Sequence, residues 1–179
     1  MKKLLPVILS LLLLAGCADS GRGQMLKFIS IVSGAEKISF TADVAAQYDE
    51  KTALFTLKYE KSGDEAVITV VKPDVLSGIK AHTSDDGASL EYDGAMLSLG
   101  AGYGDISPIS ALPWAIKAMT QGQLEMTWTE DDCVAARLVP ADDYLVTVKI
   151  NDALVPQSAE VCYRDRVAVT AQISDWHVE

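Results

Sequence analysis

The sequence predicts a mainly β, α+β fold, a curved antiparallel sheet of roughly ten strands with one helix before it and another inserted midway. Three observations carry that expectation. Apolar and polar residues alternate with a period of two over most of the chain. Short polar turn segments interrupt the alternation at intervals typical of a meander. Only two segments, one from Met25 and one from Ser107 to Gly122, carry helical spacing instead.

The elements follow in order. Met25, Phe28, Ile29 and Val32 recur at i, i+3, i+4 and i+7, and Gly34 is a suitable stop, so a short amphipathic helix is expected. From Ile38 the period becomes two: Ile38, Phe40, Ala42, Val44 and Tyr48 alternate with Ser39, Thr41, Asp43 and Gln47. Tyr48-Asp49-Glu50-Lys51 turns the chain into a second strand through Phe55, Leu57 and Tyr59. Lys61-Ser62-Gly63-Asp64 turns it again into Val67 to Val71, which Lys72-Pro73 ends because proline cannot donate to a ladder. Ile79 to Thr83 and Ser89 to Tyr92 give weaker strands around Asp85-Asp86-Gly87. Asp93-Gly94 is the pair favoured in two-residue hairpin turns.

A glycine-rich link, Gly100 to Gly104, leads to the central helix SPISALPWAIKAMTQG. Ser107 suits the N-cap, Pro108 the first helical position, and Gly122 the end. Pro113 removes one helical hydrogen bond, so a bend or a two-piece helix is expected there. Beyond it Leu124, Met126 and Trp128 alternate with polar residues, as do Tyr144, Val146, Val148 and Ile150. A last hairpin runs through Ala159, Val161 and Tyr163, turns over Arg164-Asp165-Arg166, and returns through Val167, Val169 and Ile173.

A sheet this long curls or closes rather than lying flat. With two helices to cover one face, it encloses an apolar hollow. The residues expected to line it are Phe40, Val44, Phe55, Leu57, Met126 and Trp128 from the sheet, and Ile109, Leu112, Ile116 and Met119 from the central helix. The alternative at each of these positions is an ordinary filled core.

The N-terminus sets the compartment. Met1-Lys2-Lys3 precedes the apolar run LLPVILSLLLLAG, which has the length of a signal peptide and is short for a membrane span. It closes on Leu14-Ala15-Gly16-Cys17, which resembles a bacterial lipobox, so residues 1–16 are expected to be removed and Cys17 to carry acyl chains. Residues 17–24 then form the lipidated cysteine and a tether, and residues 25–179 a single domain. The protein is expected at the cell membrane or outer membrane, facing the extracytoplasmic side.

Loss of Lys2 and Lys3 takes the formal net charge from −10 to −12. An acidic domain without a basic patch does not suit nucleic acid, and charge does not hold it on anionic lipid. Cys133 and Cys162 remain besides Cys17; a disulfide and two buried free thiols both stay open.

Motifs for catalysis are sparse. His82 and His177 have no metal-like spacing, and Glu130-Asp131-Asp132 lacks the alternating ligands of a calcium loop. Ser77-Gly78-Ile79-Lys80 fits S-x-x-K in letters, but a preceding proline and an internal glycine argue against the helical turn that motif needs. No nucleophile elbow or phosphate-cradling loop occurs, so the chain reads as non-catalytic and without a cofactor.

From Met25 onward the chain resembles the LolA/LolB-like superfamily of lipoprotein carriers and receptors. The resemblance rests on VVKPDVLSGIKAHTSDDGASLEYDG and SPISALPWAI, with Lys72-Pro73 at a strand end, Asp86-Gly87 and Tyr92-Asp93 as turns, and Ser107-Pro108 opening the central helix. The segment Asp74 to Lys80 departs from the family's aromatic and arginine cluster. The resemblance implies an incomplete barrel whose helices plug a cavity for acyl chains. It therefore implies a membrane-anchored protein that binds an acyl chain, a lipid or lipoprotein-like cargo. The same fold also serves envelope sensors, which leaves a regulatory or scaffold lipoprotein with a protein partner as the alternative.

Overall fold

The structure, a computed structural model, describes residues 20–48, 51–84, 87–100 and 108–179. Helix α1 (Ser20–Ser33) precedes six strands: β1 (Lys37–Tyr48), β2 (Lys51–Ser62), β3 (Glu65–Lys72), β4 (Lys80–Ser84), β5 (Gly87–Tyr92) and β6 (Ala95–Gly100). Helix α2 (Pro108–Gln121) follows. Five more strands complete the chain: β7 (Gln123–Glu130), β8 (Cys133–Ala141), β9 (Tyr144–Ile150), β10 (Pro156–Tyr163) and β11 (Arg166–Val178).

All eleven strands form one antiparallel sheet in the order β6-β5-β4-β3-β2-β1-β11-β10-β9-β8-β7. Every neighbour in that order is also a neighbour in sequence except β1 and β11, which zip the two halves together through eight paired positions from Ile38–Val178 to Ala46–Val169. The sheet curves but stays open, with β6 and β7 as its two edges. This is the incomplete barrel that the sequence leads one to expect, with one strand more than the rough count of ten.

The additional strand is β8, whose sequence CVAARLVPA hides it. Val134, Ala136 and Leu138 face inward, but the outward position between the first two is Ala135, itself buried, so only Arg137 interrupts the apolar run and the alternation is hard to see. The turn before it, Asp131-Asp132, places both residues at positive φ (50° and 59°), as a two-residue hairpin turn needs, but without the glycine that usually announces one. Asp93-Gly94 and Arg164-Asp165 adopt the same left-handed pair.

Two helical expectations shift. Helix α1 begins at Ser20, so Ser20 to Gln24 are helical rather than part of an extended tether. Helix α2 runs unbroken through Pro113 rather than splitting in two. Pro113 lies beyond the first turn, so only the carbonyl of Ile109 loses a helical donor, and burial of the rest of the helix holds it together. Cys17, the signal segment, Asp85-Asp86 and Ser107 lie outside the described residues.

Candidate ligand-binding face beneath the central helix

Strand pairing decides which side chains share the inner face. Phe40 of β1 pairs with Tyr59 of β2, Tyr59 with Ile68 of β3, Ile68 with Ala81 of β4, and Ala81 with Leu90 of β5. A second row runs the other way from Val44 through Ala171, Ala159, Val148 and Ala136 to Thr127. Next to it, Ala46, Val169, Val161, Val146, Leu138 and Leu124 form a third. These rows merge into one core with Met25, Phe28 and Val32 of α1.

The floor under α2 is shallow for a chemical reason. Ala42, Ala46, Ala136, Ala159 and Ala171 project from the sheet, and Ala111, Ala115 and Ala118 from the helix, all buried. Small side chains on both surfaces let the helix lie close. Leu112, Ile116 and Met119 fill the remaining space at 1%, 3% and 0% exposure. Helix α2 ends where the Gly122 amide donates to the carbonyl of Ala118 at 2.9 Å.

Directional contacts also fix α2. The Trp114 ring stacks on Tyr144 at 3.9 Å between centroids and 15° between planes, and Tyr144 leans on Tyr163 at 5.0 Å. The Lys117 amine, the helix's one charge, stands 4.7 Å from the Trp114 ring. The Ser33 hydroxyl donates to the carbonyl of Thr120 at 2.8 Å, joining the ends of the two helices. At the other end of the face, Phe40 stacks on Tyr59 at 4.9 Å and meets Trp176 at 5.4 Å. Burial pushes the Tyr59 phenol above its ordinary range.

Phe40, Val44, Leu57, Leu112, Ile116 and Met119 thus converge on one buried apolar face, with Phe55 half-buried beside Val44. The side chain of Ile109, like Cys17, lies outside the described residues. Met126 and Trp128 do not join the inner face, which corrects the simple alternation Leu124-Met126-Trp128. A β-bulge between Leu124 and Met126 advances the register by one, so Leu124 faces inward opposite Leu138 while Met126 and Trp128 pair with Arg137 and Ala135 on the outer face. Trp128 there donates its indole N–H to Glu130 at 3.1 Å, and Met126 is 44% exposed. Thr127 and Leu124 take their place, a substitution that only the bulge reveals.

The other sequence motifs fall as follows. Ser77 follows a short turn of 3-10 helix (Asp74–Leu76) and Lys80 begins β4, so S-x-x-K spans a turn and a strand. His82 lies within 2.8 Å of the Glu91 carboxylate; it and His177 line one outer-face groove of about 670 Å³. No group of three or more metal-binding side chains occurs among the described residues. Cys133 and Cys162 are free thiols. Across β9 the first lies level with the end near Ile150 and the second opposite Leu145, so the register keeps them apart.

Against solved structures, the fold matches a DUF1329 family protein from Desulfovibrio piger with TM-score 0.51, at 8% identity over 89% of this chain and 92% of that one. A LolA superfamily protein from Nitrosomonas europaea aligns with TM-score 0.46, at 11% identity over 89% and 93%. A putative outer membrane lipoprotein-sorting protein domain from Vibrio parahaemolyticus aligns with TM-score 0.48, at 11% identity over 87% and 91%. No family model matches the sequence, and no curated protein does. Among the described residues the fold is an open, curved, eleven-stranded antiparallel sheet with two α-helices, an architecture it has in common with the Desulfovibrio piger protein.

Proposed function

We propose that the protein is a membrane-anchored, non-catalytic lipoprotein of the cell envelope that holds an acyl chain, a lipid or a lipoprotein-borne chain between the inner face of its sheet and α2. Cys17 is the anchor in this reading, and Phe40, Val44, Phe55, Leu57, Ile109, Leu112, Ile116 and Met119 contact the chain. One observation supports it above the others. The inner face is apolar from Leu90 to Leu124, and its central cover is a helix with a single charge and an alanine-rich underside. In the described conformation that face is filled, so the chain enters as α2 moves outward. Each methylene it buries contributes about 0.8 kcal/mol, which offsets the displaced contacts.

Delipidated protein should take up a fluorescent fatty acid or phospholipid at micromolar concentration. A charge placed under the helix, Ile116→Glu, should abolish uptake where Lys117→Glu on its exposed side does not. Absence of uptake by the folded wild-type protein would sink the reading.

A second reading, a regulatory or scaffold lipoprotein engaging another envelope protein, is favoured by the β5–β6 edge, where Tyr92, Met96 and Leu97 stand 57%, 60% and 62% exposed. It expects a protein partner in pull-downs from solubilised membranes, lost on Leu97→Lys, and indifference to lipid.

A further inference from the structure

The outer face of the sheet carries a second site of opposite chemistry. Two adjacent rows of outward side chains cross β7 to β11. One runs Met126, Arg137, Thr147, Glu160, Thr170; the other runs Trp128, Ala135, Lys149, Ser158, Gln172. Between them lies a groove of about 410 Å³, within the size range of small-ligand sites.

Its components are arranged rather than scattered. Glu130 accepts from the Trp128 indole at 3.1 Å and from the Lys149 amine at 2.7 Å, so one carboxylate fixes both side chains at the rim. The indole N–H and one of the three Lys149 ammonium N–H groups are thereby occupied. Arg137 is different: its Nε is buried and donates to no group among the described residues, and its Nη1 reaches Glu125 only at 3.9 Å. The Arg137 side chain is 41% exposed and lines the groove, so its terminal nitrogens, weakly paired, can donate to an oxygen of a ligand there.

The surroundings narrow the class of ligand. Glu125, Glu130 and Glu160 stand around Arg137 and Lys149 in a protein of formal net charge −10, so an anion meets repulsion on most sides. Thr147, Ser158, Thr170 and Gln172 line the floor, and each both donates and accepts hydrogen bonds. A ligand that presents hydroxyls, which likewise donate and accept, matches this floor. Trp128 adds an apolar ring, half-buried, at the side of the groove.

We propose that this groove binds a neutral saccharide segment, with a ring oxygen or hydroxyl accepting from the terminal nitrogens of Arg137, the hydroxyl and amide floor reading the remaining hydroxyls, and one sugar face against Trp128. The site is independent of the apolar inner face, because its side chains project from the opposite side of the sheet. In an anchored protein it would seat glycan on the outside while a chain is held within.

The test uses full-length protein in detergent and four probes: chitotetraose, maltotetraose, tetragalacturonate and inorganic phosphate. The indole N–H resonances of Trp114, Trp128 and Trp176 are followed by NMR. A neutral tetrasaccharide should shift the Trp128 resonance and leave Trp114 unmoved. Arg137→Gln and Gln172→Ala, each checked for folding by circular dichroism, should weaken binding about tenfold or more. Stronger binding of tetragalacturonate or phosphate than of either neutral sugar would overturn the proposal in favour of an anion subsite. No shift with any probe up to about 10 mM, or binding indifferent to both variants, would overturn it outright.

Discussion

Trp114→Ala tests whether α2 is a cover that opens. The ring is half-buried, stacked on Tyr144 at 3.9 Å, with the Lys117 amine 4.7 Å from its centre. An aromatic pair contributes about 0.5–1.5 kcal/mol beyond burial, and an exposed cation–π contact about 0.5–1 kcal/mol. The Lys117 contact lies within α2 itself, so truncation removes about 0.5–1.5 kcal/mol, the Tyr144 stack, from the interactions that hold the middle of the helix down. Its lower half keeps Leu112, Ile116 and Met119 in the core, and Ser33 still donates to Thr120. If uptake requires α2 to lift around Trp114, the open population rises by up to about tenfold, since 1.4 kcal/mol corresponds to tenfold. Stopped-flow fluorescence with a fatty-acid probe reads the uptake rate, and urea unfolding reads global stability. We expect a faster uptake and a stability loss of the same order. A uptake rate within about twofold of wild type, alongside the full loss of stability, would refute the reasoning: α2 would then be a core helix and no gate.

Four further outcomes follow from individual residues. Phe40→Ala removes the ring that joins Tyr59 to Trp176 and should cost about 3–5 kcal/mol in urea unfolding, as large-to-small changes in a packed core do. Gly122→Ala would place a Cβ 2.5 Å from the carbonyl oxygen of Ala118, a backbone atom with little freedom; thermal unfolding should show a loss of about 1–3 kcal/mol. Burial, followed by the charge of Glu160, pushes the Cys162 thiol up to about 11, so it is neutral at mildly alkaline pH. Its alkylation by iodoacetamide, followed by mass spectrometry, should be slow at first and accelerate as pH approaches that value. Hydrogen bonding from His82, then the Lys80 charge, hold the Glu91 carboxyl below its usual range. A depressed carboxylate contributes stability above its unfolded pKa and loses it as pH falls through the folded one, so Glu91→Gln should flatten the acid side of the urea midpoint between neutrality and about pH 3.

How much of this was legible in the residues differs from element to element. The alternation from Ile38 to Tyr48 gives β1 and its buried face outright, because a period of two has only two solutions and water decides between them. Asp93-Gly94 gives a hairpin because the dipeptide reaches the left-handed conformation cheaply. Helix α2 is readable from its caps and its apolar spacing, although Pro113 suggests a break that burial suppresses. Strand β8 was not legible, since an alanine at the outward position between Val134 and Ala136 erases most of the alternation. Nor was the orientation of Met126 and Trp128, because a bulge after Leu124 leaves no mark in composition and reverses every side chain beyond it.

The sequence by itself determined the fold class, the open meander and most of the apolar inner face, including Phe40, Leu57, Leu112 and Met119. Those follow from local periodicity and from the simple requirement that apolar surface leave water. Only the tertiary structure decided which residues meet across the sheet. It brought Arg137, Lys149, Ser158 and Gln172 into one outer groove from four strands, and it moved Trp128 from the inner face to the rim of that groove. Register sets such meetings, and register is fixed by pairing between strands that are distant in the chain, which no local pattern encodes.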